Sequence, residues 1–109
     1  MALASLFGCA NDPAPNEQLK LTEQAVAQAT AVGATTDDQP DMATAQSKLT
    51  QAQADMGTKS YKDARMQAEQ AELDARLAEA RVLTEKSAEQ LAQVNARLER
   101  LRKQLGAAQ

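Results

Sequence analysis

The run from Tyr61 to Leu105, YKDARMQAEQAELDARLAEARVLTEKSAEQLAQVNARLERLRKQL, decides the fold. It holds 45 residues between Gly57 and Gly106 with no proline or glycine. Ala, Leu, Glu, Gln, Arg and Lys dominate it, and these are the strongest helix formers. The expectation is one helix of roughly 68 Å at 1.5 Å per residue. Ser60 stands where an N-cap belongs, with Asp63 three residues on, a variant of the capping box.

The apolar pattern of this run changes part-way. Ala64, Ala68, Ala71, Ala75, Ala78 and Val82 recur at spacings of four and three, the seam of a closely packed helix pair. Leu91, Val94, Leu98, Leu101 and Leu105 form a second series with the same spacings and larger side chains. Val82 and Leu91 are nine residues apart, so the two series are out of register. Glu85 and Glu89 occupy the positions where the first would continue. One seam therefore ends near Val82 and another begins near Leu83 or Ser87. Two seams imply two partners, or a bundle followed by a coiled-coil extension; a single drifting amphipathic stripe is the plainer alternative. Glu72–Arg76 and Glu99–Lys103 stand in the favoured order for i,i+4 pairs. Arg100, Arg102 and Lys103 suit the negative end of the helix dipole.

Outward from this run, shorter helices are expected at 16–33 and 42–56. Asn16 is a candidate N-cap for the first, with Leu19, Thr22, Val26 and Ala29 as its stripe and Gly33 as its stop. Asp41 is a candidate cap for the second, with Ala45, Leu49, Ala52 and Met56 inward and Gly57 at the left-handed C′ position. The loop between them is polar, and Asp37-Asp38 reads as solvated rather than as a metal site. Short loops make neighbouring helices antiparallel. The expected class is all-α: an antiparallel helical hairpin or small three-helix bundle, whose long C-terminal helix extends as a coiled coil. The stripe Leu91, Val94, Leu98, Leu101 and Leu105 is the candidate helix-interaction site.

Composition narrows the class. The chain has 109 residues, two aromatics, one cysteine and no histidine. Alanine supplies most of its apolar content, and burying one methyl gains only about 0.8 kcal/mol, so an alanine-lined core is thin and oligomerisation or a partner would help it. Net charge is −3, which gives nucleic-acid binding no support. The charge is uneven: residues 1–60 carry three basic and seven acidic groups, residues 61–109 nine and eight. No apolar run reaches the roughly twenty residues that span a bilayer. Catalysis has little support, with no phosphate-binding loop and no metal-ligand spacing. No catalytic residue, metal ligand or cofactor is assigned.

The N-terminal stretch points elsewhere. Leu6-Phe7-Gly8-Cys9 has leucine three residues before the cut, a small residue just before it and cysteine just after it. This resembles the bacterial lipobox, with Leu6 and Gly8 at the cleavage site and Cys9 as the acylated residue. The segment 1–8 is short for a signal and lacks basic residues, so the natural start is expected upstream. Ala10-Asn11-Asp12-Pro13-Ala14-Pro15 reads as a polar tether. The expected organisation is signal segment 1–8, tether 9–15, helical domain 16–105 and tail 106–109. Acylation of Cys9 would anchor the chain stably to a membrane. Ala10 rather than aspartate after the cysteine resembles Gram-negative signals for outer-membrane sorting.

Tyr61, Ala64 and Ala71 after a turn resemble the second helix of a tetratricopeptide unit, but arrays need about three units, so a lone hairpin is expected. Glu17-Gln18-Leu19, Lys48-Leu49, Tyr61-Lys62-Asp63-Ala64-Arg65 and the stretch Ala71–Arg81, together with the lipobox and tether, resemble short bacterial lipoproteins with the domain of unknown function 4398. That resemblance spans about Leu6 to Gln90 and implies a helical envelope protein with no known activity. Some relatives carry a downstream peptidoglycan-binding domain. The murein lipoprotein, a lipid-anchored coiled coil, is a looser analogue; its C-terminal lysine has no counterpart in Gly106-Ala107-Ala108-Gln109.

The expected function is therefore a non-enzymatic lipoprotein of the outer membrane, facing the periplasm, that acts as a helical spacer or adaptor. Self-association, a helical protein partner and peptidoglycan are the candidate contacts. A periplasmic binding module, chaperone-like or accessory to an envelope machine, and a cytosolic coiled-coil protein are the alternatives.

Overall fold

A computed structural model describes residues 12–107. Three helices follow one another: α1 (Asn16–Val32), α2 (Pro40–Gly57) and α3 (Tyr61–Ala107). At 47 residues, α3 is about 70 Å long, more than twice either of the others. It runs two residues beyond Leu105, through Gly106, where added side-chain volume would meet nothing within 4 Å.

Contacts between ends fix the topology. Arg65 reaches the Pro13 carbonyl and Lys86 reaches the Val32 carbonyl, so α1 runs parallel to α3. Lys48 bonds Asp74 and Arg81 pairs with Asp41, so α2 runs antiparallel to it. The bundle is thus up-down-up. α3 is its spine, because α1 and α2 each pack more extensively on α3 than on one another.

The core is made of small side chains. Ala64, Ala68, Ala71, Ala75 and Ala78 are fully buried along α3, and Val82 closes the row. Opposite them lie Ala25 and Ala29 of α1 and Ala45 and Ala52 of α2. Met42 is the largest fully buried side chain, with Thr22 next. Methyl groups let backbones approach closely, and one contact records this directly. The Thr22 hydroxyl lies 2.8 Å from the Ala68 carbonyl oxygen of the neighbouring helix. It lies 2.9 Å from its own Gln18 carbonyl, so the buried hydroxyl is satisfied at either acceptor.

The chain ends its helices in ways the sequence foretells only in part. Gly33 closes α1 in the left-handed conformation, φ 105°. Its N–H bonds the Thr30 carbonyl and that of Ala34 bonds Ala29, a Schellman motif. At three other termini the expected residue is displaced. Pro15, not Asn16, caps α1, because the Pro15 carbonyl already accepts from the Leu19 N–H at 3.0 Å. Gln39, not Asp41, caps α2, because Pro40 fills the first helical position, where its missing N–H costs nothing. That frees Asp41 to face Arg81. Gly57 lies inside α2, and the left-handed residue is Lys59, φ 59°. The Lys59 and Ser60 N–H groups bond the Met56 and Asp55 carbonyls there, so the closing motif sits two residues later than Gly57 suggests. Ser60 directly precedes α3, and its hydroxyl pairs with Thr58 at 3.1 Å.

Candidate interaction surface

Beyond Val82, α3 leaves the bundle. Every residue from Leu83 to Ala107 is exposed, a projection of about 37 Å. The boundary follows from the partners: α1 ends at Val32 and α2 begins at Pro40, both beside the Val82 level of α3. Lys86 is the last tie, its ammonium donating to the Val32 carbonyl. α1 has no basic residue in its own last turn, and this cation from α3 supplies the charge its C-terminal dipole favours.

The five residues of the predicted stripe are all on this projection and all exposed: Leu91 62%, Val94 50%, Leu98 45%, Leu101 54% and Leu105 70%. Spacings of three and four align them on one face. Neither α1 nor α2 covers them. Cys9, Leu6 and Gly8 lie outside the described residues.

The structure adds members to that stripe. Leu73 and Leu77 are exposed on α3 at 67% and 43%, within the bundled half. Leu77 stands fourteen residues before Leu91 and Leu73 twenty-one before Val94, whole heptads in both cases. They therefore continue the distal register along the outer side of the bundle, opposite the alanine seam. Arithmetic from Leu91 backwards finds them in the sequence; reading the alanine series alone hides them. Between the two groups the register passes through Ala80, Thr84 and Ser87. Thr84 directs its hydroxyl to the Ala80 carbonyl at 2.8 Å, so it offers no unmet polar group. Shallow grooves lie along the face, one bounded by Leu77, Ala80, Arg81, Thr84 and Glu85, another by Arg97, Arg100, Leu101 and Gln104.

Ion pairs hold the bundle but not the projection. Lys48–Asp74 is a half-buried hydrogen-bonded pair at 2.7 Å. Arg81 Nε lies 3.1 Å from Asp41 Oδ2, an ion pair rather than an aligned hydrogen bond. Glu72 accepts from Gln18 at 2.7 Å and from Arg76. The Gln18 hydrogen bond, then Arg76, lower its pKa against a smaller opposing effect of burial. On the projection, Arg102 pairs with Glu99 one turn away at 3.2 Å. In the interhelix loop Asp38 accepts from the Thr35 hydroxyl at 2.8 Å, which ties the turn together. No group of three or more metal-ligating side chains is found among the described residues. No helix among them is long and apolar enough to cross a membrane.

The described residues form a short up-down-up bundle whose third helix overruns the other two and carries an exposed leucine stripe. The chain belongs to the family described as Domain of unknown function (DUF4398), whose profile matches residues 17–94. It is similar to a DUF4398 family protein from Pseudomonas aeruginosa PAO1, known from its crystal structure, at 59% identity and a TM-score of 0.86. The alignment covers 89% of this chain and 100% of that one. No curated protein matches the chain. The family match extends to Val94, past the last buried residue, Val82, and so includes part of the projection.

Proposed function

We propose that this protein is a non-enzymatic lipoprotein of the cell envelope that holds a helical rod away from the outer membrane and uses it as an adaptor. The observation that carries this reading is polarity. The tether residues Pro13 and Pro15 lie at the start of α1, beside the Arg65 end of α3. The exposed stripe ends at Leu105, at the opposite end of the same helix. A lipid on Cys9 would put the bundle next to the bilayer and the stripe away from it, facing the periplasm. The thin alanine core fits a spacer: methyl groups line the inner face of α3, and its leucines lie outside.

Mass spectrometry of protein made from the full natural precursor tests the anchor. A diacylglyceryl group on Cys9, with the mature chain beginning there and sedimenting with outer membranes, is the expected result. A Cys9→Ser form should be released from the membrane fraction. A free Cys9 thiol on a chain that retains Met1 would overturn the proposal.

A further inference from the structure

We infer that the outer face of α3 from Leu73 to Leu105 receives one helix of a different protein, a helix whose apolar stripe is flanked by carboxylates. The inference deepens the adaptor reading and rests on it for its biological setting, but it is argued from the face itself.

In heptad terms, Leu77, Thr84, Leu91, Leu98 and Leu105 take the a positions, and Leu73, Ala80, Ser87, Val94 and Leu101 the d positions. The stripe is about 48 Å long. The distal part alone is about two heptads, short for a stable two-helix contact, whereas the full stripe exceeds four. A strict seven-residue repeat on a straight helix drifts by about 20° per heptad, so a partner would wind around α3 with a left-handed sense. Ala80, Thr84 and Ser87 make the middle of the stripe its least apolar part.

The flanks identify the chemistry of the occupant. The e and g positions beside the stripe carry Arg76, Arg81, Arg97 and Arg102, with Asp74 the one acid among them. Asp74 is bonded to Lys48 of α2, and three of the arginines also have partners within the chain: Arg76 with Glu72, Arg81 with Asp41 and Arg102 with Glu99. The other acids of this stretch, Glu79, Glu85, Glu89 and Glu99, lie outside the a, d, e and g positions, with Glu85 on the rim of the Leu77–Thr84 groove. At the e and g positions that flank the apolar face, arginines thus outnumber acids four to one, although the chain carries a net charge of −3. A parallel second copy in register would set Arg97 against Arg102 of the other chain, and Arg76 against Arg81, twice each, because g and e′ positions five residues apart meet. Two copies anchored in one membrane would have that orientation. Like charges there disfavour self-pairing, and carboxylates on a foreign helix would meet Arg97 directly and compete with the weak surface partners of Arg76, Arg81 and Arg102.

Two synthetic helices test this against the full chain. Both carry leucine at d and valine at a over five heptads; one has glutamate at every e and g position, the other lysine. Binding is followed by fluorescence anisotropy, and the association state of the chain alone by sedimentation. The glutamate helix should bind at least tenfold more tightly than the lysine helix, with the gap narrowing in 1 M salt, where screening shortens to about 3 Å. Arg97→Glu with Arg102→Glu should reverse the preference. Leu77→Ser and Leu98→Ser should each weaken binding at least tenfold while leaving the melting temperature within a few degrees. Equal binding of both helices would overturn the inference. So would a stable dimer of the chain that Leu98→Ser dissociates, or binding indifferent to Leu77→Ser. Glutamate-helix binding that survives Leu98→Ser would mean a polyanion contact instead, and would also overturn it. Each readout is made in solution without the lipid, so failure here is separable from failure of Cys9 acylation.

Discussion

The two halves of α3 differ in which side chains they hide. From Tyr61 to Val82 the helix buries alanines and turns Leu73 and Leu77 outward. From Leu83 to Ala107 it buries nothing, although its apolar residues are larger. Side-chain hydrophobicity alone would order these the other way round. What decides burial is where backbones can come close and where the neighbouring helices stop. The alanine seam admits α1 and α2 to the distance at which Thr22 reaches the Ala68 carbonyl. The leucines face outward along both halves, and so mark a face that none of the described residues covers.

Substitutions that exchange the roles of the two halves should separate them most sharply. Ala68→Glu puts a carboxylate into a contact with no room and no partner, and should cost several kcal/mol, enough to unfold the bundle. Leu98→Glu, on the same helix, should change stability by no more than about 0.5 kcal/mol. Thermal denaturation followed by circular dichroism compares the two; similar losses would mean that the stripe is buried in solution.

Met42→Ala should be the next largest change. It removes the largest fully buried side chain, beside the Val82 boundary, and should cost about 2–4 kcal/mol. Urea denaturation of the full chain, read as a shift in midpoint at unchanged slope, measures it.

The glycines give smaller effects of opposite sign. Gly33→Ala forces a side chain into φ 105° and should destabilise by about 1–2 kcal/mol. Gly57→Ala fills open space inside α2 and should stabilise by up to about 1 kcal/mol. A loss at Gly57 would mean that α2 ends where the sequence pattern places its stop.

The smallest effect concerns pH. The folded Glu72 has a pKa below its usual 4.5, so its stabilising contribution is full above that value. It is lost as pH falls from there through the lowered folded pKa. Glu72→Gln should flatten this part of the acid limb and leave stability near pH 7 changed only modestly. Melting temperatures between pH 3 and pH 7 would show it; an unchanged acid limb would assign the pH response to other carboxylates.

Much of the bundle was legible because alanine spacing is so regular. The six inward positions of α3, Ala64 to Val82, can be counted off the sequence, and so can the change at Val82. Thr22, Ala29, Ala45 and Ala52 also face inward as their periodicity requires. Helix termini were less legible, because capping signals compete. Pro40 outranked Asp41, and a second closing motif at Lys59 outranked Gly57. Met42 was less legible because Pro40 starts α2 two residues before an Asp41 cap would. Leu73 and Leu77 escaped because the shorter-range alanine series crosses their segment. The Lys86 contact with Val32 joins residues 54 apart, a distance over which local pattern says nothing.

The alanine core has a further consequence when seen as entropy. A buried alanine loses no rotamer freedom, whereas a buried leucine forfeits about 0.5–1 kcal/mol of it. The bundle therefore folds with little side-chain ordering, which offsets part of its small apolar gain. The outer leucines keep their freedom until something covers them. Ordering Leu73, Leu77, Leu91, Leu98, Leu101 and Leu105 together would subtract about 3–6 kcal/mol from any association. Any partner that covered them would therefore be held lightly, unless it arrived with its own side chains already fixed.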